Sequence, residues 1–204
     1  GPASTPRQIV VLGGTGMLGP RFIAIARARG HEVTLFNRGA RSEMNPDLEL
    51  IEGNRIVGVE PGLGPLQEAV RGGRRWDAVV DTAIVHTWVE HSAALLKDAA
   101  DQYQYISSLS AYASTSGRAQ REGDPVATMP DDVADGIDRA PYDMSRYGAV
   151  KARGEAAAER HFPGRATVLR PGLIVGPRDV THRFTYWPNR VREGGAVLAP
   201  GAPD

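Results

Sequence analysis

The sequence of 204 residues lacks cysteine altogether, which excludes disulfide bonds, thiolate nucleophiles and thiolate metal sites. It lacks any run near the ~18 apolar residues of a membrane-spanning helix. It also lacks an excess of either charge, since 24 basic residues balance 24 acidic ones. We therefore expect a small-molecule substrate rather than a nucleic-acid or membrane partner. Lysine is scarce as well, with only Lys97 and Lys151 among the basic residues, which gives weight to a lysine found in a functional pattern.

The ends of the sequence bear on targeting and completeness. The first residues, GPASTPR, lack the charged and apolar regions of a signal peptide, which predicts a cytoplasmic protein. Gly1-Pro2 is typical of a scar left by tag cleavage, and an export signal removed earlier would leave no trace. The last residues, GGAVLAPGAPD, are turn-like and supply no closing helix or strand. This ending predicts a truncated chain.

Short apolar runs alternate with helix-like segments along most of the chain. The pattern predicts strands at 8–12, 32–36, 48–52, 77–83, 103–108 and 166–171, and helices at 17–30, 66–70, 88–100 and 141–162. Such alternation favours a parallel sheet covered on both faces, the doubly wound α/β class or Rossmann fold. We expect this domain to span residues 7–171, with the start of a small, truncated substrate-binding lobe at 172–204.

Residues 113–141 break this rhythm. The segment contains glycine, proline and five aspartates without a periodic pattern. A connection of this length inside a compact domain is usually functional or disordered. We therefore expect a long insertion or lid loop.

A glycine-rich turn follows the first predicted strand. The segment VVLGGTGMLG places Gly13, Gly16 and Gly19 between that strand and an amphipathic helix. A tight turn needs the freedom of glycine, close approach of a pyrophosphate needs the missing Cβ, and the helix N-terminus offers unpaired N–H groups. A phosphate-binding P-loop would need a Gly-Lys-Ser/Thr ending, which is absent. The turn predicts a dinucleotide site that also includes Thr15, Met17 and Leu18.

The end of the second predicted strand bears on the choice of cofactor. NAD sites usually carry an acidic residue there for the ribose 2′-hydroxyl, whereas arginine suits the 2′-phosphate of NADP. The segment LFNRGAR has Asn37 and Arg38 at this position, and Arg41 follows. We predict NADP(H) in preference to NAD(H).

Tyr147 and Lys151 lie four residues apart and so share a helix face. A tyrosine is a poor base at neutral pH unless a nearby cation favours its phenolate, and a lysine one turn away does so. The lysine can also hold a ribose hydroxyl of the cofactor. A third group must hold the substrate oxygen, and Ser107, Ser108 and Ser110 end the fifth predicted strand, at the edge where open α/β sheets bind ligands.

Four motifs in this order resemble the short-chain dehydrogenase/reductase superfamily, and within it the extended branch of NAD(P)-dependent epimerase/dehydratase-like proteins. They are the glycine turn, the strand end ISSLSAY, the Tyr-x-x-x-Lys pair and the segment RPGLIVGPRD at 170–179. Each motif alone is common, but the ordered set is specific and runs over nearly the whole chain.

The resemblance assigns roles to individual residues. It implies Tyr147 as catalytic acid/base, Lys151 as its activator and ribose ligand, and Ser108 as the catalytic serine, with Ser107 and Ser110 as alternatives. It implies that Pro171 and Gly172 lie against the nicotinamide. Cofactor contacts are also expected from Thr82 and Ala83, at the end of the fourth predicted strand. Another is expected from Asn54, which stands where the branch often has an aspartate near the adenine.

The resemblance leaves two classes of function open. The first is an oxidoreductase or epimerase acting on a hydroxyl or carbonyl carbon of a small molecule, such as a sugar nucleotide. The second is a non-catalytic relative that senses the dinucleotide or binds RNA, which the intact Tyr/Lys/Ser set disfavours. Family members often form homodimers, and we expect one here through helices 88–100 and 143–161, whose alanines from Ala149 to Ala158 would permit close approach.

Other residues carry weaker signals. His86 and His91 are five apart and lack the partners of a metal site, so we expect a rim or structural role for His86 and no metal. The segment 183–195 mixes aromatic residues with arginines, which we interpret as a substrate-pocket wall. Arg178 and Arg183 are candidates for contact with an anionic substrate.

Overall fold

The computed structural model describes residues 5–116, 120–179, 181–182 and 184–197, with Ser42 described in its backbone only. The chain divides into two compact units, Gly1–Gly172 and Leu173–Asp204. Arg183 lies outside the described residues. None of the helices in the described ranges is long and apolar enough to cross a membrane.

The first unit contains a parallel sheet of six strands in the order β3-β2-β1-β4-β5-β6. The strands are β1 (Gln8–Leu12), β2 (Glu32–Asn37), β3 (Glu49–Glu52), β4 (Trp76–Asp81), β5 (Ala100–Ile106) and β6 (Ala166–Leu169). The chain runs outward from β1 to β3 and then crosses back to β4, so the strand order reverses between β1 and β4. This topology confirms the predicted doubly wound class, and ligands of such sheets bind at that reversal.

Helices connect the strands on both faces. They are α1 (Gly19–Ala28), α2 (Gly64–Arg71), α3 (His86–Leu96), α4 (Asp131–Asp135) and α5 (Tyr147–His161). The side chains of β1 alternate between the two layers of the core, because successive side chains of a strand point to opposite faces of the sheet. Ile9 and Val11 pack in a cluster with Ile23 of α1, whereas Val10 and Leu12 pack in a cluster with residues of α2, α3 and α5.

The structure corrects the expected start of the helix that carries Tyr147 and Lys151. The sequence predicts a helix over 141–162, but α5 begins at Tyr147, and a short 3-10 helix (Met144–Arg146) precedes it. Asp143 caps this short helix by accepting a hydrogen bond from the Ser145 N–H at 2.9 Å. Tyr147 is therefore the first residue of α5 rather than a residue of its second turn.

The segment 113–141 is not a simple loop. It contains α4, and Val126 forms an antiparallel bridge with Tyr112. Its apolar side chains, including Ile137, pack with Val85 and Val150 in a small cluster. Five helical residues are too few to produce a periodic pattern, which explains why the sequence did not reveal α4.

The second unit contains one helix within its described part, α6 (Tyr186–Arg192). The rings of Tyr186 and Trp187 meet edge to face, with centroids 5.1 Å apart.

Candidate active site

A cleft of about 440 Å³ lies at the carboxyl edge of the sheet, where the strand order reverses. It is bounded by the glycine turn and by the ends of β2, β3 and β4. Seven residues predicted to contact a cofactor line it, namely Gly13, Thr15, Gly16, Asn37, Arg38, Asn54 and Thr82. The structure adds lining residues that the sequence did not indicate, among them Arg55 and Trp88.

The glycine turn fits a phosphate group. A Cβ at Gly19 would clash with the Gly14 carbonyl, so glycine there allows α1 to begin directly against the turn. A Cβ at Gly16 would meet no atom within 4 Å, so the fold itself leaves the space beside Gly16 open. No side chain among the described residues caps the N-terminus of α1, whose N–H groups therefore stay available to an anion. Met17 and Leu18 adjoin this turn without lining the cleft.

The tip of β2 is held to the glycine turn by Asn37. Its Nδ2 donates to the Gly13 carbonyl at 3.0 Å, and its Oδ1 accepts from the Gly39 N–H at 2.9 Å. Arg41 also reaches the turn, since its Nη1 donates to the Thr15 carbonyl at 3.3 Å. Arg38 is exposed at the rim of the cleft.

One carboxylate lies near this tip, although the sequence pattern did not indicate it. An oxygen of Glu52, at the end of β3, lies 2.8 Å from the position that a Cβ of Gly39 would occupy. The strand register pairs Glu52 with Asn37, which brings this acid to the tip of β2.

A buried ion pair lies beside the cleft. Arg55 Nη1 donates to Asp81 Oδ1 at 2.6 Å, and Asp81 is fully buried at the end of β4. Asp81 also accepts from the Ala83 N–H at 2.8 Å and from the Tyr103 hydroxyl at 2.5 Å. Burial, with the Asp81 carboxylate beside it, raises the pKa of Tyr103 well above its usual value, so this hydroxyl stays protonated and donates. The Arg55 guanidinium lies over the Trp88 ring at 5.5 Å.

Lys151 bridges the ends of β4 and β5. Its side chain is 2% exposed, and Nζ donates to the carbonyls of Ala83 at 2.7 Å and Ile106 at 2.5 Å. Nζ also lies 4.2 Å from the centre of the Tyr105 ring. Burial lowers the pKa of Lys151 to about 8, against the opposing effect of the Asp81 and Glu155 carboxylates. Ala83 is thus tied to the lysine through its carbonyl.

The three serines after β5 have different environments. Ser107 is buried, and its hydroxyl donates to Glu155. Ser108 is half-buried and accepts from the Ser110 N–H at 3.1 Å, which starts a short 3-10 helix (Leu109–Ala111). Ser110 is exposed. Because the Ser107 hydroxyl is committed to Glu155, Ser108 and Ser110 are the serines whose hydroxyl hydrogens remain free to be donated.

The start of α5 packs directly on this serine loop. A Cβ at Gly148 would clash with the Ser110 carbonyl, so glycine after Tyr147 lets the helix approach the end of β5. Tyr147 is half-buried and lines a second cleft of about 390 Å³ together with Ser110 and Met129 of the insertion. A glycine directly after the tyrosine is therefore a signal in the sequence, although none of the four motifs includes it.

A second buried ion pair lies below the serines. Arg170, which follows β6, donates to Glu155 from Nε at 2.9 Å and from Nη2 at 2.6 Å. The Glu155 side chain is 6% exposed, and its carboxylate holds the pKa of Arg170 above its ordinary value. Arg170 lies over the Tyr112 ring at 4.4 Å and donates to the Glu122 carbonyl at 3.2 Å. This pair fastens α5 to β6, to the serine loop and to the start of the insertion.

Pro171 and Gly172 follow Arg170 at the same edge. The Pro171 carbonyl accepts from the Leu109 N–H at 3.0 Å, and Leu109 lies beside Gly172. The two residues therefore lie against the serine loop, on the Tyr147 side of the sheet edge and not in the cleft beside the glycine turn.

The insertion is anchored close to both clefts. Trp88 Nε1 donates to the Asp138 carbonyl at 2.8 Å, and the Tyr142 hydroxyl donates to the Ile84 carbonyl at 2.6 Å.

His86 is buried, its Nε2 lies 3.0 Å from the Ala134 carbonyl, and burial lowers the pKa of its imidazole. No group of potential metal ligands occurs in the part of the chain that the structure describes.

Comparisons with solved structures identify the same architecture. The chain is 20% identical to the Bordetella bronchiseptica enzyme WbmG in complex with NAD, with a TM-score of 0.70 over 97% of this chain and 63% of that chain. It is 21% identical to a Thermus thermophilus UDP-glucose 4-epimerase in complex with NAD, with a TM-score of 0.58 over 86% and 58%. A Bacillus cereus UDP-N-acetylglucosamine 4-epimerase gives 19% identity and a TM-score of 0.57 over 80% and 52%.

These likenesses concern the fold, and the chain spans less than two thirds of the length of each of these structures. The comparison with curated proteins gives no match. The model of the NAD dependent epimerase/dehydratase family matches residues 9–203, nearly the whole chain. The chain therefore belongs to the NAD-dependent epimerase/dehydratase family.

Proposed function

We propose that this chain is the cofactor-binding part of an NAD(P)-dependent oxidoreductase or epimerase of the short-chain dehydrogenase/reductase type. The observation that carries the proposal is the position of Lys151, whose Nζ donates both to Ala83 after β4 and to Ile106 at the end of β5. Tyr147 lies one turn before it on α5, and Ser108 follows Ile106 by two residues. The proposed catalytic groups thus lie at the same sheet edge as the glycine turn.

Tyr147 would exchange a proton with the substrate oxygen, as general acid or base according to the direction of reaction. Ser108 would orient that oxygen by donating its hydroxyl hydrogen. Lys151 would favour the phenolate form of Tyr147 through its charge, while its third N–H remains available for a ribose hydroxyl. The nicotinamide of the bound cofactor would supply or accept the hydride at the substrate carbon.

The residues present fit a dinucleotide. The open space beside Gly16 and the uncapped start of α1 suit the diphosphate, and the cleft continues toward Asn54. We propose that Pro171 and Gly172 lie against the nicotinamide, since they occupy the Tyr147 side of this edge.

We propose that NADP(H) binds more tightly than NAD(H). Two guanidinium groups, Arg38 and Arg41, line the tip of the cleft, and the carboxylate of Glu52 lies beside Gly39. A 2′-phosphate is attracted to the guanidinium groups and repelled by the carboxylate. Arg38→Ala should erase most of the difference in affinity, whereas Glu52→Gln should increase it. Calorimetric titration with both cofactors tests this, and equal or tighter NAD(H) binding by the unmodified chain would contradict it.

The substrate is proposed to be a small molecule with a hydroxyl or carbonyl carbon, and sugar nucleotides are the first class to test. The cleft lined by Tyr147 and Met129 provides room beside the proposed acid/base. We propose that residues 172–204 belong to a substrate-binding lobe. The test is a screen of sugar nucleotides and small ketones with NADPH and NADH on the full-length protein, with mass spectrometry of co-purified ligands. Cofactor binding without turnover on any of these would favour a dinucleotide sensor instead.

The homodimer remains a prediction, but its structural basis changes. Ala149, Ala152, Ala157 and Ala158 are buried inside the chain's own core, so they do not offer a free face to a second copy. Any pairing through α3 and α5 must instead use exposed residues such as His91, Ala156 and Glu159. Light scattering on the full-length protein at micromolar concentration tests the prediction, and a monomer would contradict it.

A further inference from the structure

We propose that Asp81 is a positioning residue for Lys151: it fixes a carbonyl group that accepts a hydrogen bond from the lysine, and its negative charge stabilises the ammonium form. The inference rests on the proposed function, in which Lys151 activates Tyr147, and it names the group that prepares the lysine for that role. Asp81 belongs to none of the four motifs from which the family resemblance was drawn.

Asp81 and Lys151 meet on the same face of the sheet. Asp81 is the last residue of β4 and is paired in register with Tyr105 of β5. Lys151 Nζ lies 4.2 Å from the centre of the Tyr105 ring, and the hydroxyl of Tyr103, two residues earlier on the same strand, donates to Asp81 at 2.5 Å. Since residues two apart in a strand point to the same face, both contacts lie on one side of β5.

Asp81 fixes one of the two carbonyls that hold the lysine. Its Oδ1 accepts from the Ala83 N–H at 2.8 Å, which closes a turn at the end of β4. The carbonyl of the same residue, Ala83, accepts from Lys151 Nζ at 2.7 Å. Ala83 is buried, so water does not compete for either hydrogen bond. The carboxylate therefore sets the direction of a hydrogen bond that places the lysine.

The lysine needs a negative charge nearby because it is enclosed. Lys151 is almost fully buried, and both acceptors of its hydrogen bonds are neutral carbonyls. An enclosed ammonium group without compensating charge loses its proton in favour of the neutral amine. The two carboxylates that act on Lys151, Asp81 and Glu155, each pair directly with an arginine instead. Their influence on the lysine is therefore one of charge and not of direct contact.

Charged and titratable groups surround the lysine on several elements, namely Asp81 on β4, Tyr105 on β5, Tyr147 and Glu155 on α5, and Arg55 after β3. Burial lowers the pKa of Lys151 to about 8. Asp81 opposes this lowering more strongly than Glu155 does, whereas Arg55 adds to it. Among these groups, Asp81 thus does most to keep the lysine charged.

The two ion pairs explain this order. Glu155 accepts from two nitrogens of Arg170, at 2.9 and 2.6 Å, whereas Asp81 accepts from a single nitrogen of Arg55. The negative charge of Asp81 is therefore less completely neutralised by its own partner, and more of it acts on the lysine.

The chain contains only two lysines, so the signal of each can be followed separately by NMR. With lysine isotope-labelled at Cε, a pH titration of the full chain gives the titration midpoint of Lys151 directly, and the exposed Lys97 is the internal reference. Asp81→Asn keeps an acceptor oxygen but loses the charge, so it should lower the Lys151 midpoint by about one pH unit. Asp77→Asn is the matched control, because Asp77 lies on the same strand and also pairs with an arginine, Arg7, at 3.0 Å. It should leave the midpoint unchanged.

The sign of the shift separates an electrostatic role from a merely structural one. A loosened site would let water reach Lys151 and raise its midpoint toward the ordinary value of 10.5, whereas loss of the Asp81 charge lowers it. Arg55→Met should raise the midpoint, because it removes a cation and leaves the Asp81 charge unbalanced. The double variant Asp81→Asn/Arg55→Met leaves no charge of this pair unpartnered. It should lower the midpoint by less than Asp81→Asn does, and it supplies the same test of sign if Asp81→Asn does not fold.

Calorimetric titration with NADPH and NADH over the same pH range is the second readout. The pH at which cofactor affinity declines should move downward in Asp81→Asn together with the midpoint of Lys151. An unchanged or raised midpoint in Asp81→Asn, or in the double variant where the single variant does not fold, would overturn the inference and leave the proposed function intact. A lowered midpoint in a chain that binds neither cofactor would support the role of Asp81 and overturn the proposed function.

Discussion

The two buried ion pairs at the carboxyl edge, Arg55–Asp81 and Arg170–Glu155, are built on one plan. Each carboxylate is almost fully buried and accepts a second hydrogen bond from a hydroxyl, Tyr103 in one pair and Ser107 in the other. Each guanidinium lies over an aromatic ring and donates to a main-chain carbonyl.

The pairs differ in what surrounds the arginine. Arg55 uses one nitrogen for its carboxylate and lines the open cleft. Arg170 uses two nitrogens and joins α5, β6 and the insertion. The same arrangement of arginine, carboxylate and aromatic ring can therefore line a cleft with a cation or hold three structural elements together. Lys151 is influenced by both ion pairs, since the carboxylates of Asp81 and Glu155 both act on its pKa.

The largest expected effect separates chemistry from binding at this edge. Tyr147→Phe keeps the ring but removes the hydroxyl that we propose exchanges a proton with the substrate oxygen. Turnover should fall by roughly 10²–10⁴-fold, as is typical for loss of general acid–base catalysis, with cofactor affinity nearly unchanged. Lys151→Ala should lower both. Steady-state kinetics and cofactor titration measure the difference, and near-normal turnover of Tyr147→Phe would remove Tyr147 from the mechanism.

The next effect tests the two pairs against each other. Arg170→Met and Arg55→Met should each lower the free energy of unfolding by about 3–5 kcal/mol, because each leaves a buried carboxylate without its cation. Arg170→Met should also reduce turnover by loosening Ser108, whereas Arg55→Met should leave the serine loop in place.

Denaturant unfolding with Arg74→Met as control checks the scale of this loss. The pair of Arg74 with Glu49 is exposed, with side chains 37% and 47% accessible, so its loss should cost only about 0–1 kcal/mol. A similar small cost for Arg170→Met would mean that the buried pair does not hold these elements together.

The smallest effect concerns Lys151 and pH. Burial lowers its pKa to about 8 from an ordinary value of 10.5, and an anionic cofactor nearby would raise it again. Cofactor affinity should therefore be highest below pH 8 and fall as the pH rises above it, by up to about tenfold per pH unit. The contribution of Lys151 to folding stability changes with pH in the opposite direction. Because the unfolded chain binds the proton more tightly, the free energy of unfolding rises as the pH rises from about 8 toward 10.5.

Titration of binding and unfolding against pH, with Lys151→Met as the reference, measures both slopes. The variant should lose both pH dependences. A decline in affinity that persists in Lys151→Met would assign the titration to another group.

The sheet and the glycine turn could be predicted from the sequence because their signals are local. The apolar run of β1, the glycines and the periodic face of α1 follow one another without interruption. The ends of helices and strands could not be predicted where a capping side chain sets them. Asp143 and Ser108 each cap a short 3-10 helix, so α5 begins later and β5 ends earlier than apolar patterns indicate.

The ion pairs could not be predicted because they join residues far apart in sequence. Arg55 and Asp81 are 26 positions apart, and only the crossover from β3 to β4 brings them together. Ser107, Ser108 and Ser110 look equivalent in the sequence, whereas the contact with Glu155 distinguishes the first of them.

The scarcity of lysine has a practical consequence for handling the molecule. Lys151 is almost completely enclosed, whereas Lys97 is exposed at the end of α3, at the opposite edge of the sheet from the glycine turn. Apart from the α-amino group, an amine-reactive dye or surface would therefore couple to this chain at one point. Attachment through Lys97 would leave the cofactor edge facing outward, which suits single-molecule and biosensor measurements without any engineered tag.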